Sequence, residues 1–308
     1  MQGSSHGDDA STRTDSHTAQ CGPCATKQTA ALLHTDATPP SPLHTAVYHG
    51  NVYQVSALLD QWVDVREVIV GGQTPLHTAV RLCAAHPDER LAIIDELLQH
   101  KADISTKDDV GNNVLHYAAS EQAQVLRRIL ERTPQGPVRD EALRAQNRTG
   151  CTPLVLAVQA GNIGAVQLLA PPPHSAVGVA DLQGATALHH AAELTPYDDA
   201  TEAGVSLEIA ELLLRNTDID VAACTHNGDT ALHFAASRGG AALVKLLVEK
   251  SPGTTTSAEA KNGDGHTPLD LAKLSDARAT LSNEQLRFAG FPGHTANRYA
   301  VITALEAP

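Results

Sequence analysis

The sequence predicts an all-α solenoid, a stack of helix–loop–helix units, because two features repeat along it. The first is a four-residue phrase, Thr-Pro-Leu-His in its fullest form, which recurs in seven variants. The second is an apolar cluster after the phrase, such as Leu168-Leu169 or Leu246-Leu247. The central leucines of the phrases lie 33 to 44 residues apart, at Leu43, Leu76, Leu115, Leu154, Leu188, Leu232 and Leu269.

Each phrase has the chemistry of a helix start. The Thr or Ser can act as N-cap, because its hydroxyl accepts a hydrogen bond from a backbone N–H that has no intrahelical partner. The Pro that often follows stands at the first helical position, where its missing N–H does no harm. From the second unit onward, a glycine two residues before each cap predicts a turn with positive φ. These glycines are Gly72, Gly111, Gly150, Gly184, Gly228 and Gly265.

Small residues mark the first helix of each unit, and leucines mark the second. Pairs such as Ala118-Ala119 and Ala191-Ala192 follow the phrase and let the first helices of successive units approach closely. The apolar cluster further along predicts the second helix. Each unit is too thin to bury its apolar face alone, so the units must stack.

The sequence resembles the ankyrin-repeat family. The resemblance rests on the pattern G-x-T-P-L-H-x-A-A followed by L-L-L, and it covers roughly residues 39–274. It implies an ankyrin-repeat solenoid in which a β-turn finger projects between successive helix pairs. It also implies a concave face, formed by the fingers and the first helices, that binds protein partners.

Three regions follow from this interpretation. Residues 1–37 are polar, and their low apolar content predicts a disordered N-terminal tail. Residues 38–280 form the repeat array, and residues 281–308 form a C-terminal cap or tail. We place the units near 39–71, 72–110, 111–149, 150–183, 184–227, 228–264 and 265–280.

Insertions lengthen three units, near residues 83–91, 133–144 and 194–207. Long insertions change the free energy little when they leave the packed stripe intact. Two interpretations stay open for them: drift in tolerant loops, or contacts with a partner and modification sites. In the seventh unit Asp270 replaces the His and Lys273 replaces a small residue, which fits a terminal unit that faces water.

Composition narrows the class of protein. The formal net charge of −13 argues against non-specific nucleic-acid binding and favours a partner of basic character. The sequence has no run of 18 apolar residues, so we expect no membrane span. Five cysteines at irregular spacing indicate a reducing compartment. We therefore expect a monomeric cytoplasmic protein, with the nucleus not excluded.

Histidines invite a metal or catalytic interpretation, since the sequence contains 16. Five of them occupy the same slot of the repeat, which predicts a structural role, and they lie too far apart to share one metal ion. The resemblance implies that they hydrogen-bond to the turns. They are His44, His77, His116, His189 and His233.

No residues in this sequence support a catalytic function. No phosphate-binding loop, dinucleotide fingerprint or nucleophile elbow stands in its required context. Cys21 and Cys24 could begin a zinc or redox site, but no second pair at suitable spacing supports it, so this is the less favoured alternative. We predict no enzyme, no cofactor and no metal.

A partner-binding stripe is predicted on the concave face, at the residue after the histidine slot. In four consecutive units this residue is Tyr117, Leu156, His190 or Phe234, and aromatic residues are favoured at binding hot spots. The alternative is that these side chains only pack between first helices and fingers. Further candidates on the first helices and finger tips are Arg81, Glu121, Gln159, Glu193, Arg238, Lys107, Asp109, Arg148 and His226.

The function that fits is a non-enzymatic adaptor, scaffold or inhibitor that binds one or more proteins through the concave face. It would act by occupying a surface of its partner, with no direct contact to nucleic acid. A regulatory subunit that localises an enzyme is the alternative.

Overall fold

The computed structural model describes residues 41–83, 87–171, 176–194, 203–216, 219–251, 256–274 and 294–306. The predicted tail, residues 1–37, lies outside these ranges, as do Cys21 and Cys24. Within them the regular secondary structure is helical, and two isolated β-bridges join Ile69 to Gln73 and Cys224 to Thr230.

The helices follow the repeat along the described chain. Their bounds are α1 (Pro42–Tyr48), α2 (Val52–Asp60), α3 (Pro75–Arg81), α4 (Pro87–Gln99), α5 (Val114–Glu121), α6 (Ala123–Arg132), α7 (Pro137–Arg144), α8 (Pro153–Gln159), α9 (Ile163–Leu169), α10 (Ala187–Glu193), α11 (Ala203–Leu214), α12 (Ala231–Arg238), α13 (Ala241–Lys250), α14 (Thr256–Glu259), α15 (residues 268–274) and α16 (His294–Glu306).

These helices form two layers. The inner layer consists of the first helix of each unit, and α1, α3, α5, α8, α10 and α12 pack against one another in that order. The outer layer consists of the second helices, in the order α2, α4, α6, α9, α11, α13 and α16. Each inner helix also packs on the outer helix of its own unit. The prediction of an all-α solenoid of helix–loop–helix units is confirmed.

The core lies between the layers and continues from unit to unit. Ala118 and Ala119 on α5 are fully buried, so the inner helices meet through methyl groups. Larger side chains such as Leu115, Leu126 and Ile129 fill the space toward the outer layer. Burying one such side chain contributes about 1.5–3 kcal/mol relative to leaving it exposed.

The inner helices begin as the phrase predicts. The Thr74 hydroxyl accepts a hydrogen bond from the backbone N–H of His77, and Pro75 occupies the first helical position. The His77 ring accepts in return from the backbone N–H of Thr74, which completes a reciprocal cap. Asn113 takes the cap position of α5 with its side-chain oxygen.

All three insertions contain helical residues, and in the third these are residues 203–207 at the start of α11. Residues 133–144 include α7, which packs on α8 and buries Ala142 and Leu143, and the Asn113 side chain donates to the Ala142 carbonyl oxygen at 2.9 Å. In the second unit the insertion lengthens the outer helix α4 at its start. Drift in tolerant loops therefore does not account for these two segments, because their helices pack against the array. Residues 195–202 of the third insertion lie outside the described ranges.

The last helix among the described residues lies in the outer layer. Helix α16 packs against α13 and fully buries Val301. Lys273 Nζ on α15 lies 3.2 Å from Glu306 Oε1 on α16. The second helix of the seventh unit is therefore contributed from residues 294–306.

Candidate partner-binding surface

Five histidines connect successive units. Each ring lies in the cap of its own inner helix, and its Nε2 is 3.1–3.3 Å from a carbonyl oxygen in the turn of the next unit. In four of these rings Nδ1 accepts from a backbone N–H, so the ring is neutral and Nε2–H donates to the carbonyl. The pairs are His44–Gln73, His77–Asn112, His116–Cys151, His189–Asp229 and His233–His266.

Burial keeps these rings neutral. Desolvation lowers the pKa of all five, and that of His116 falls to about 4. Both nitrogens of each ring lie within hydrogen-bonding distance of a protein group, so neither is available to a metal ion. Their geometry is that of a structural connection.

The fingers, which are the turns before the inner helices such as residues 108–112, also bond directly to one another. In each junction a backbone N–H at one tip donates to a carbonyl oxygen at the preceding tip. Gly150, at φ +80°, shows why glycine is needed: a Cβ there would lie 2.5 Å from the Leu182 nitrogen. The donor and acceptor pairs are Asp109–Gly71, Arg148–Val110, Leu182–Thr149, His226–Gln183 and Gly263–Asn227.

Tyr117 of the predicted stripe is half-buried and fixed by three neighbours. Its hydroxyl donates to Asp108 Oδ2 at 2.5 Å, and the Arg81 guanidinium lies over its ring, 5.2 Å from the centroid. The ring also meets that of His77 edge-on, with centroids 6.1 Å apart. Burial and the Asp108 carboxylate raise the pKa of Tyr117 to about 12.

His190 occupies the same register two units further on and is charged. Its Nε2 lies 2.9 Å from Asp181 Oδ2, and its Nδ1 is 3.7 Å from Glu193 Oε2 and 3.3 Å from Gln159 Nε2. Burial alone would lower the pKa of His190, but the hydrogen bond to Asp181 and the nearby Glu193 carboxylate outweigh it and raise the pKa to about 9. At neutral pH the ring is therefore protonated.

Leu156 and Phe234 complete the stripe. Both are half-buried, and the Phe234 ring meets His189 edge-on with centroids 5.9 Å apart. Tyr117 and Phe234 thus contact the bridging histidine of the preceding unit, and Tyr117 and His190 bond to the first residue of their own finger. These four residues serve the internal packing as well as the surface.

The remaining candidate residues either contact a residue of a neighbouring unit or are exposed to solvent. Gln159 reaches His190, and Arg238 Nη2 lies 3.4 Å from Glu193 Oε1. At the tips, Lys107 Nζ donates to the Gln146 carbonyl oxygen at 2.8 Å. Lys107 is exposed, and so are the other tip candidates, Asp109, Arg148 and His226.

Glu121 differs from the other charged candidates. Arg81 in the second unit stands at the repeat position of Glu193 in the fifth, and Glu121 in the third unit stands at that of Arg238 in the sixth. The charges of the two pairs are therefore exchanged. Arg81, however, lies over Tyr117, and within the described ranges Glu121 has neither a hydrogen bond nor an ion pair. Burial raises the pKa of Glu121 to about 7, opposed by the charge of Arg81.

Among the charged candidates on this face, basic and acidic side chains are nearly equal in number. The charged candidates include four basic and three acidic side chains, and protonated His190 is balanced by Asp181. The four basic residues are Arg81, Arg238, Lys107 and Arg148, and the acidic ones are Glu121, Glu193 and Asp109.

Sequence reasoning missed the acidic residues behind the stripe. Asp108 and Asp181 each stand nine residues before the stripe residue that they bond, at the first position of the finger. An Asp at that offset, paired with a polar stripe residue, was the available signal. In the part of the chain that the structure describes, no group of three potential metal ligands occurs, and no helix is long and apolar enough to cross a membrane.

A family model described as "Ankyrin repeats (3 copies)" matches the chain in overlapping segments, residues 24–108, 43–140, 82–179, 115–203 and 199–281. The chain belongs to the ankyrin-repeat family. The ankyrin solenoid with its β-turn fingers is thereby established, and the family is one of protein–protein interaction modules.

Individual relatives cover most of the chain. It is 30% identical over 253 residues to the nuclear factor NF-kappa-B p105 subunit of Gallus gallus, covering 75% of this chain and 24% of that protein. It is 31% identical over 238 residues to the B-cell lymphoma 3 protein homolog of Mus musculus, covering 76% of this chain and 48% of that protein. The chain thus spans only a quarter to a half of these two relatives.

Solved structures agree with the fold. The ankyrin repeat domain of Bcl-3, described as a unique member of the IkappaB protein family, superposes with a TM-score of 0.61 at 28% identity, covering 76% of this chain and 95% of that domain. The ankyrin repeat protein EF0377 superposes with a TM-score of 0.58 at 24% identity, covering 69% and 99% of the two chains.

Proposed function

We propose that this chain is a non-enzymatic adaptor, scaffold or inhibitor that binds a protein partner across the inner helices and finger tips of units three to six. The observation that carries the proposal is the shared register of Tyr117, Leu156, His190 and Phe234 in four consecutive units. The hydrogen bonds of Tyr117 to Asp108 and of His190 to Asp181 fix these side chains before a partner arrives. Preorganised side chains lose less conformational entropy on binding, which favours affinity.

The chemistry of the face suggests what the partner supplies. Glu121 is a half-buried carboxylate without a hydrogen bond among the described residues, so a donor from the partner fits there. Arg148 and Asp109 at the tips present one charge of each sign. This near balance favours a partner of mixed charge at this face over a uniformly basic one. We propose a monomer acting in the cytoplasm, with the nucleus as the alternative location.

Affinity capture with the whole chain, followed by mass spectrometry, would identify the partner. The site is then tested with Arg148→Glu at a finger tip and Arg127→Glu on the outer helix α6, which change the same charge on two exposed side chains. We expect Arg148→Glu to weaken capture about tenfold, a hot-spot effect, and Arg127→Glu to leave it unchanged. Equal capture by both variants would show that the inner face is not the binding site.

A regulatory subunit is the second candidate function, and the same experiment distinguishes it. Stable co-purification of a catalytic protein that keeps its activity would favour a subunit that localises an enzyme. Loss of that activity in the complex would favour an inhibitor. In both cases the Arg148→Glu variant should capture the protein about tenfold more weakly.

A further inference from the structure

The outer surface of the first unit carries two of the most exposed aromatic side chains among the described residues. Tyr53 is 91% exposed and Trp62 is 94% exposed, and Trp62 is the single tryptophan of the sequence. Tyr53, Ala57 and Asp60 recur at a spacing of four and three residues, so they share one exposed face of α2 that leads to Trp62. The buried residues Val55 and Leu59 lie on the opposite face.

Trp62 is also held in a backbone conformation that disfavours it. It follows the C-cap of α2 with φ +62°, where glycine is the usual residue. Its N–H donates to the Leu59 carbonyl oxygen at 3.1 Å, and the N–H of Val63 reaches that of Leu58 at 3.4 Å, which is the Schellman pattern. A tryptophan here gains almost no burial and adds backbone strain, so the fold does not explain it. Strain of this kind is a reason to look for a contact outside the fold.

Lys101 provides a matched comparison within the same chain. It follows the C-cap of α4 at φ +62° with the same pair of hydrogen bonds, to Leu98 and from Ala102 to Leu97. Lys101 is exposed as well, but its long charged side chain is at home in water. The two positions therefore share a backbone and differ in the side chain that they present.

Charge complementarity indicates what the surface binds. Asp60 and Asp64 stand two residues before and after Trp62, both are exposed, and Glu67 adds a third exposed carboxylate against the single cation of Arg66. Indole rings attract ammonium and guanidinium groups through the face of the π-system, and nearby carboxylates add to that attraction.

We propose that Tyr53, Trp62 and the flanking carboxylates form a second interaction surface, which binds a basic segment of a protein partner. Lysine or arginine side chains of that segment would lie against the Trp62 ring and pair with Asp60 and Asp64. The surface uses none of the inner-face residues, so it does not depend on the function proposed above.

The test uses the whole chain and an arginine hexapeptide amide as the probe, with a glutamate hexapeptide as control. Emission from the single tryptophan should change and saturate with the arginine peptide and stay constant with the glutamate peptide. By calorimetry, Trp62→Gly should bind the arginine peptide about fivefold more weakly, and Lys101→Gly should bind it as the unchanged chain does.

Thermal unfolding separates binding from folding. Trp62→Gly should raise the unfolding midpoint by about 2 °C, because glycine relieves the positive φ, so weaker binding could not come from a damaged fold. Peptide binding by Trp62→Gly at full strength overturns the proposal, and so does an equal loss in Lys101→Gly. A dimer in sedimentation that Trp62→Gly dissociates would show that the surface joins two copies of this chain, which also overturns it.

Discussion

Arg90 of the second unit closes the C-terminal end of helix α1 in the first, by donating a hydrogen bond to the carbonyl oxygen of Val47. Its other terminal nitrogen donates to the Tyr48 carbonyl oxygen. The residue comes from the insertion near 83–91, it is 4% exposed, and burial lowers its pKa. This insertion therefore connects two units, and at least this part of it is structural.

Arg90→Met should destabilise the protein by about 1–2 kcal/mol, because the last carbonyl groups of α1 lose a charged donor. The free energy of unfolding in urea measures the change. Arg127→Met is the control, since Arg127 is exposed on α6, and it should change stability by less than about 0.5 kcal/mol. Equal effects would contradict a special role for Arg90.

The contribution of contact between fingers to stability can be measured by comparing two glycines that have the same backbone conformation. Gly150 and Gly265 have φ of +80° and +81°, but a Cβ at Gly150 would meet the backbone of Leu182, whereas one at Gly265 meets no described residue within 4 Å. Gly265→Ala should therefore cost about 1 kcal/mol for the backbone conformation alone. Gly150→Ala should cost about 3 kcal/mol, because the next finger must also shift.

Urea unfolding of both variants measures the difference. A Gly150→Ala chain no less stable than the Gly265→Ala chain would show that the fingers move apart at negligible cost. That result would contradict a rigid connection between the tips.

Acid should weaken the stack through the bridging histidines. The pKa of His116 is about 4 in the folded chain and about 6.5 when unfolded, so below pH 6.5 the unfolded state binds the proton first. Stability from this group is fully present above pH 6.5 and is lost as the pH falls toward 4, by up to about 3 kcal/mol.

The measurement is the free energy of unfolding at pH 7, 6 and 5 for the unchanged chain and for His116→Gln. The variant should be less stable at pH 7 but should lose less stability on acidification. Parallel pH curves for the two chains would contradict the assignment.

The pKa of His190 is shifted in the other direction. Because it is about 9 in the folded chain, this group contributes stability that is fully present below pH 6.5 and is lost as the pH rises through 9.

The fourth unit lacks the bridge, because Val155 stands in the histidine slot. Val155→His should add a hydrogen bond from the ring to the Ala185 carbonyl oxygen, by analogy with the other units, and stabilise the chain by about 1 kcal/mol. Thermal unfolding checks this. His233→Val is the reverse control, and it should destabilise. A less stable Val155→His chain would mean that the buried site does not admit the ring.

The repeat phrase made the inner helices predictable, because cap, proline and leucine act within four residues of one another. The same holds for the role of Gly150, which belongs to a turn of fixed local geometry. Arg90 could not be predicted, since its acceptors lie 43 and 42 residues away and no pattern marks them. The bond from Tyr117 to Asp108 was missed for a related reason: burial of the hydroxyl depends on how the finger packs.

In each junction between finger tips, one hydrogen bond joins main-chain atoms only. Side chains at Arg148, Leu182 or His226 can therefore be exchanged without removing any link of this chain of amides and carbonyls. Evolution, or a protein engineer, could rewrite what this edge recognises one residue at a time while the framework keeps its spacing.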